Sequence, residues 1–214
     1  MTIIYYTNGQ QIYIEAGTAS AFFKDYVNDL GENSLDLSYD KPKEIFFESG
    51  FRFNIYKERL KLNAGLGYHN YKISTGFFQG SVSIPLTYNL SYASLKTGFI
   101  FNIVNEPKFK FQVHTHISYD ILLSGTNQIR GVVNNIYKDN TFDKTLIRFH
   151  KGVSAEYILS NKISAYVSYN IADSFREHNQ DSNIEEIYTF HTNAISCGII
   201  LNIGRPTSIC YGGF

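Results

Sequence analysis

The stretch from Phe109 to Ile121 carries the clearest hydrophobic pattern in the chain. Its odd positions hold aromatic, aliphatic or Thr residues, and its even positions hold charged, polar or His residues. This period-2 alternation predicts a β-strand with one apolar and one polar face. Strands of globular proteins have about 5–6 residues, whereas a tilted strand that crosses a bilayer needs about 9–11. The stretch is therefore long enough to span a membrane, with its polar face toward a barrel interior.

The same alternation recurs along the chain and predicts eight strands. Their predicted ranges are residues 11–23, 43–56, 60–72, 93–104, 109–122, 145–158, 163–173 and 187–203. Short turns are predicted at 56–59, 105–108 and 160–162, alternating with long polar loops at 24–41, 73–92, 123–144 and 174–185. Short connections at one end and long loops at the other are typical of transmembrane barrels. We expect one barrel domain, 11–204, between an N-terminal extension, 1–10, and a C-terminal tail, 205–214.

The segment before the fourth predicted strand departs from the regular phase. Apolar residues occupy even positions at Ile84, Leu86 and Leu90, but odd positions from Ala93 onward. Because a one-residue shift turns every side chain to the other face, the change indicates a bulge, a short separate strand or an extra hairpin. We interpret residues 74–91 as a long loop whose end extends the fourth strand beyond the membrane.

Composition agrees with strands that have a single apolar face. The 214 residues fit one domain, aromatic residues reach 16%, and the mean hydropathy is only -0.19. The 19 basic and 19 acidic residues leave no net charge, which argues against a nucleic-acid-binding protein. No apolar run is long enough for a transmembrane helix, and the first residues lack the features of a signal peptide. Two cysteines, Cys197 and Cys210, do not make a disulfide scaffold.

This succession of alternating strands, short turns and long loops resembles the small outer-membrane β-barrels, the OmpA/OmpX-like proteins of Gram-negative bacteria. The resemblance covers about residues 11 to 204 and rests on the pattern, without a signature motif. It implies an all-β, antiparallel, up-and-down transmembrane barrel of eight strands, porin-like in architecture and located in the cell outer membrane. The Trp-free composition, rich in Ile, Asn, Lys and Tyr, resembles that of low-GC bacteria such as Bacteroidota.

The predicted inward faces carry balanced charges. Five acids and five bases are expected to form a structural network there: Glu15, Glu44, Glu48, Asp120, Glu156, Arg52, Lys61, Lys96, Lys110 and Arg148. Charges held in a narrow interior must pair, because desolvation of an unpaired charge is costly. An eight-stranded barrel is just wide enough for side chains to fill it. We therefore expect a closed, salt-bridged interior, with a narrow channel lined by the same charges as the alternative.

Four histidines also lie on predicted inward faces: His69, His114, His116 and His150. His114 and His116 could share a metal ion, but the only carboxylate near them in sequence is Asp120 and no cysteine accompanies them. Neutral, hydrogen-bonded core histidines are the better interpretation. We expect neither a metal nor a cofactor.

A further hypothesis concerns enzymatic activity. The spacing His116-Ile-Ser118 resembles the catalytic pair of outer-membrane lipid A deacylases, which implies nucleophilic catalysis as an alternative. That family sets its pair on the lipid-facing wall, whereas both residues point inward here. We therefore expect a non-enzymatic structural or accessory protein of an envelope complex.

The surroundings of such a barrel are outer-membrane lipid, and its long loops are the expected contact sites for other envelope proteins. The aromatic candidates in the loops are Tyr26, Phe77, Phe78, Tyr137 and Phe142. Ordinary variable loops are an equal alternative. A soluble, lipocalin-like barrel is disfavoured, because it would need an apolar interior and a polar exterior.

Overall fold

The computed structural model describes residues 10–27, 41–56, 59–79, 81–138, 144–175, 177–178 and 187–203. Its strands are β1 Gln10–Val27, β2 Lys43–Tyr56, β3 Leu60–Gln79, β4 Val82–Asn105, β5 Phe109–Ile129, β6 Val132–Asn134, β7 Thr145–Ile158, β8 Ile163–Ser174, β9 Glu177–His178 and β10 Ile187–Asn202. Among these residues there is no helix long and apolar enough to cross a membrane. The predicted tail, 205–214, and residues 1–9 of the predicted extension lie outside the described residues.

Eight of the strands close into a ring. They pair antiparallel in the order β1-β2-β3-β4-β5-β7-β8-β10, and β10 returns to pair with β1 from Gln11↔Asn202 to Lys24↔Thr189. Strands β6 and β9 lie outside the ring and pair with β5 and β10. Closure leaves the ring with no unpaired strand edge, which a barrel in lipid requires. The predicted eight-stranded antiparallel barrel is confirmed.

Inward and outward side chains alternate along every strand of the ring. On β5, Gln112, His116 and Asp120 are buried, whereas the neighbouring Ile117 is 51% exposed. The exposed side chains of the wall are mostly aromatic and aliphatic, including Phe47, Phe99, Tyr119, Phe149, Val167 and Ile195. An apolar exterior around a polar interior is the arrangement of a transmembrane barrel and the reverse of a soluble one.

The prediction of a loop at 74–91 is wrong. Residues 74–79 form the end of β3 and residues 82–91 the start of β4, and the two strands pair as far as Gln79↔Val82. The segment thus lengthens two predicted strands, and its described residues add no further strand. The inward phase of β4 does not change, because Ile84, Leu90, Lys96 and Ile100 are all buried on one face. What changes along β4 is the chemistry of the interior, from apolar at the loop end to charged in the middle.

Strands β3, β4 and β5 continue beyond the apolar band of the wall. Outward positions of β3 are apolar up to Tyr68, and then become polar at Asn70 and Lys72. Strand β5 continues to Ile129 and turns through Arg130 and Gly131, whose φ angles are 50° and 84°, into β6. Two residues with positive φ make the tight hairpin turn that matches strand twist. The predicted loop at 123–144 therefore begins as a protruding hairpin.

The predicted loop aromatics fall in different places. Tyr137 lies after β6 and is exposed. Tyr26 lies in β1, and Phe77 and Phe78 lie in β3. Phe142 lies outside the described residues.

Candidate functional site

The barrel interior is divided into an apolar layer near the long loops and a polar layer below it. The apolar layer contains Ala19, Ala21, Phe46, Tyr71, Ile73, Leu90, Tyr92, Leu122, Ile136, Leu146 and Phe190. Its centre is an aromatic cluster in which the Phe190 ring lies 5.1 Å from Tyr71 and 6.1 Å from Tyr92 between centroids. These rings close the lumen at the loop end, and aromatic packing of this kind adds to the stability gained from burial.

The polar layer holds eight of the ten predicted interior charges. The buried residues are Glu15, Glu48, Arg52, Lys61, Lys96, Asp120, Arg148 and Glu156. Glu44 and Lys110 are only half-buried, because they lie near the ends of β2 and β5. Glu44 lines a rim pocket with Asn70 and Lys72. The buried set contains four acids and four bases, so its formal charges balance.

Ion pairs connect strands across and along this interior. Lys96 on β4 pairs with Glu48 on β2, two strands that are not adjacent in the ring. The Lys61 Nζ lies 3.9 Å from the Glu156 Oε2 and donates to the Gln11 Oε1 at 3.1 Å. Contacts of this kind tie non-adjacent strands together and occupy the space inside the lumen that a channel would need.

Arg148 joins the two layers. Its Nε donates to the Asp120 Oδ2, and its Nη1 donates to the Tyr71 hydroxyl at 2.8 Å. The guanidinium carbon lies 5.3 Å from the Tyr71 ring centroid and 5.7 Å from that of Phe190. A planar guanidinium can pair with a carboxylate through its edge while its face contacts aromatic rings. Arg148 therefore links the charged network to the aromatic cluster.

Arg52 is held by two tyrosines. Its guanidinium carbon lies 5.0 Å from the Tyr13 ring centroid and 4.6 Å from that of Tyr166. Both hydroxyls donate to buried carboxylates at 2.5 Å, Tyr13 to Glu48 and Tyr166 to Glu15. Sequence reasoning missed these tyrosines, although both occupy inward positions of the strand pattern.

Inward-facing glycines make room for the large rings of the polar layer. Tyr13 lies across Gly50 and Gly65, which are paired between β2 and β3, and a Cβ on Gly65 would collide with the Tyr13 hydroxyl oxygen. His116 lies across Gly98 in the same way. Small residues are therefore required wherever a ring from another strand fills the narrow lumen.

The four predicted histidines are buried in the interior. The His114 Nε2 is hydrogen-bonded to the Asn170 Oδ1 at 2.5 Å, and the His116 Nε2 is hydrogen-bonded to the Asn63 Nδ2 at 3.3 Å. His69 stacks on Phe46 with centroids 5.0 Å apart. Within the described part of the chain, no three His, Cys, Asp or Glu side chains are grouped in a way that could hold a metal ion.

The lipid A deacylase alternative would require His116 and Ser118 to act as a pair, but in the structure Ser118 bonds to a different histidine. The Ser118 Oγ lies 2.8 Å from the His150 Nε2, and it donates to the Asp120 Oδ2 at 3.2 Å. Asp120 in turn pairs with Arg148. Ser118 is 0% exposed and faces the lumen, so lipid on the outer wall does not reach it.

Comparisons with known proteins agree with this architecture. No family model matches the chain, and no curated protein matches it. Neisserial surface protein A, from Neisseria, is 11% identical, with a TM-score of 0.50 over 90% of this chain and 96% of that one. The outer membrane protease OmpT from Escherichia coli is 8% identical, with a TM-score of 0.51 over 94% of this chain and 99% of that one. Identities this low establish the fold alone: the chain is an eight-stranded transmembrane β-barrel of the outer-membrane type.

Proposed function

We propose that the protein is a closed, non-enzymatic barrel of the outer membrane that serves as a structural or accessory subunit of an envelope complex. The observation that carries the proposal is the doubly filled interior, in which an ion-paired layer lies below an aromatic one. Two cavities within the lumen have volumes of only about 20 Å³ each, room for about one water molecule. Both lie against the Lys96–Glu48 pair, so neither forms a continuous path.

The closed interior distinguishes this proposal from a narrow channel. The purified protein would be reconstituted into planar bilayers and compared with a porin reconstituted in the same way. We expect no steady open-channel current. The Phe190→Ala variant should also stay closed, because the charged layer remains below the removed ring. A steady current from the unmodified protein that grows with salt concentration would establish the channel and overturn the proposal.

The positions of His116 and Ser118 support a non-enzymatic role over a lipid-modifying enzyme. Ser118 bonds to His150 inside the barrel, and the Asp120 carboxylate contacts Ser118 and Arg148. Nucleophilic catalysis needs a serine that reaches its substrate and a base oriented by a third group. Membranes containing the protein, its Ser118→Ala variant or no barrel should have the same lipid species by mass spectrometry. A modified lipid that disappears in the Ser118→Ala membranes would contradict the proposal.

The protruding hairpin of β5 and β6 is the part of the described chain that best suits contact with another envelope protein. Strand β6 pairs with β5 on one side, and Val132 and Val133 are each 62% exposed. An exposed strand edge offers backbone hydrogen bonds to a partner strand. The hairpin lies beyond the apolar band, so its partner would contact it outside the lipid.

A photo-crosslinking residue at Val133 tests this contact in native membranes. We expect an adduct of one discrete mass. The matched control is Leu159, which is 61% exposed in the β7–β8 turn at the opposite end of the barrel. Absence of any adduct, or the same adducts from both positions, would remove the support for a partner at this hairpin.

A further inference from the structure

The lipid-facing wall contains an open apolar groove near the short turns. It has a volume of about 850 Å³ and is lined by residues of strands β5, β7, β8, β10 and β1. Its outward-facing lining alternates small side chains with large ones, among them Ala16, Ala165, Cys197, Phe109, Tyr157 and Ile199. Ligand pockets in proteins typically have volumes of about 300–1,000 Å³. The groove is therefore large enough for a ligand, although it opens onto the membrane.

Strand register explains why the groove is concave. Ala165 on β8 is paired with Tyr157 on β7 and with Ile199 on β10, so one small side chain lies between two large ones. Two residues from Ile199 on the same face of β10, Cys197 is paired directly with Ala16 on β1. Side chains stand perpendicular to the sheet, so large neighbours form ridges and small ones form the floor between them.

Two lysines lie at the short-turn end of the groove. Lys108 precedes β5, and its carbonyl oxygen accepts a hydrogen bond from the Ile158 N–H at 2.9 Å, at the end of β7. Lys162 precedes β8, and its carbonyl oxygen accepts from the Asn202 N–H at 2.9 Å, at the end of β10. Both side chains are exposed, as is Glu106 in the same turn as Lys108. The cations thus lie where the apolar wall gives way to the headgroup region.

We propose that this groove holds one acyl chain of an anionic phospholipid whose headgroup contacts Lys108 and Lys162. A flexible acyl chain can follow a concave apolar surface. A second copy of the barrel fits less well, because a symmetric dimer would place the same concave surface on both sides. The void left above Ala165 in such a dimer would forfeit packing contacts.

The selectivity of the site comes from its lysines. Inside a membrane the hydrophobic effect gives the groove no preference for one lipid, because every acyl chain is as apolar as the wall. A charged headgroup near Lys108 and Lys162 adds an attraction that a zwitterionic headgroup lacks. We expect each lysine to contribute about a fivefold preference for the anionic lipid.

Native mass spectrometry with two chain-matched lipids tests the site. The protein would be reconstituted in vesicles with equal amounts of phosphatidylglycerol and phosphatidylcholine and released into mild detergent. We expect one retained phosphatidylglycerol per barrel. The Lys108→Gln/Lys162→Gln variant should lose the headgroup preference, and Ala165→Phe should lose the bound lipid of either class.

Matched controls come from the opposite wall of the barrel. Ala64→Phe places the same ring on β3, and Arg59→Gln removes a cation from the β2–β3 turn, so both should behave like the unmodified protein. Heat-modifiable gel mobility shows whether each variant is folded. Equal retention of the two lipids by the unmodified protein, or equal lipid loss in Ala64→Phe, would overturn the proposal.

The same groove could instead be covered by another copy of the chain, and Cys197 on its floor distinguishes that outcome. In a Cys210→Ser background, we expect no Cys197–Cys197 disulfide after mild oxidation of the protein in vesicles. Dimers crosslinked at high yield would assign the groove to a contact between copies and overturn the lipid proposal.

Discussion

Replacing the buried Asp120 and Arg148 pair tests how the interior is held together. Both residues are almost fully buried, and the Arg148 Nη2 and the Asp120 Oδ1 have no hydrogen-bond partner among the described residues. The substitutions Asp120→Leu and Arg148→Met would be made singly and together, since both introduce apolar side chains.

Each single substitution leaves an uncompensated charge in the lumen. Breaking a buried pair in this way costs about 3–5 kcal/mol of unfolding free energy. The double variant buries no unpaired charge. It leaves the Tyr71 hydroxyl without its 2.8 Å donor, and an unsatisfied neutral group costs about 1–3 kcal/mol. We therefore expect the double variant to be more stable than either single variant and to lie within about 3 kcal/mol of the unmodified protein.

Urea titration of the barrel in lipid vesicles measures these differences. The chain has no Trp, so far-UV circular dichroism and the fraction of the heat-modifiable gel band report unfolding. An unchanged dependence of the free energy on urea would show that the variants unfold from the same native structure. Additive losses, with the double variant the least stable of the three, would refute the argument that charge pairing holds this part of the interior.

Three further outcomes follow from the structure. Gly65→Ala should lower the unfolding free energy by about 1–3 kcal/mol in the same titration, because the new methyl group displaces Tyr13 from its bond to Glu48. A Gly65→Ala variant as stable as the unmodified protein would contradict this. Lys151→Leu should change stability by less than about 1 kcal/mol, since its contact with Asp173 at 3.9 Å is exposed. The protein should give a β spectrum and a heat-modifiable band after refolding in detergent micelles but not in buffer alone, and a folded monomer in buffer would contradict a lipid-facing wall.

The sequence predicts the wall of the barrel well because the wall follows one local rule. Each residue of a strand points in or out, and lipid on one side and a polar interior on the other make this direction visible in the residue types. Lys151 breaks the rule on the outer face together with Asp173 and His191 of the neighbouring strands. The structure groups these three residues, since the Lys151 Nζ lies 3.9 Å from the Asp173 Oδ2 and the His191 Nδ1 lies 2.5 Å from the Asp173 Oδ1.

The rule fails where the interior is no longer polar. At Ile84, Leu86 and Leu90 the inward residues are apolar and buried, and Leu90 packs in the layer that closes the loop end of the lumen. Residue type then no longer distinguishes inward from outward positions. The hydrophobic pattern therefore suggests a one-residue shift in a strand that is in fact continuous. The local pattern could not show this, since the apolar layer is assembled from strands that are distant in sequence.

The pairing inside the lumen depends on the stagger between strands, which is set by the shear of the closed barrel and cannot be read from one strand alone. Glu48 and Lys96 lie on β2 and β4, separated by β3, and they meet only because the shear of the closed barrel sets them at one height. A stagger shifted by two residues would preserve every inward and outward assignment and yet change every partner. The same holds for the outer groove, where Ala165 forms a notch only because register places Tyr157 and Ile199 beside it. The residues that face the interior can thus be read from the sequence, whereas the contacts that give this barrel its chemistry require the closed ring.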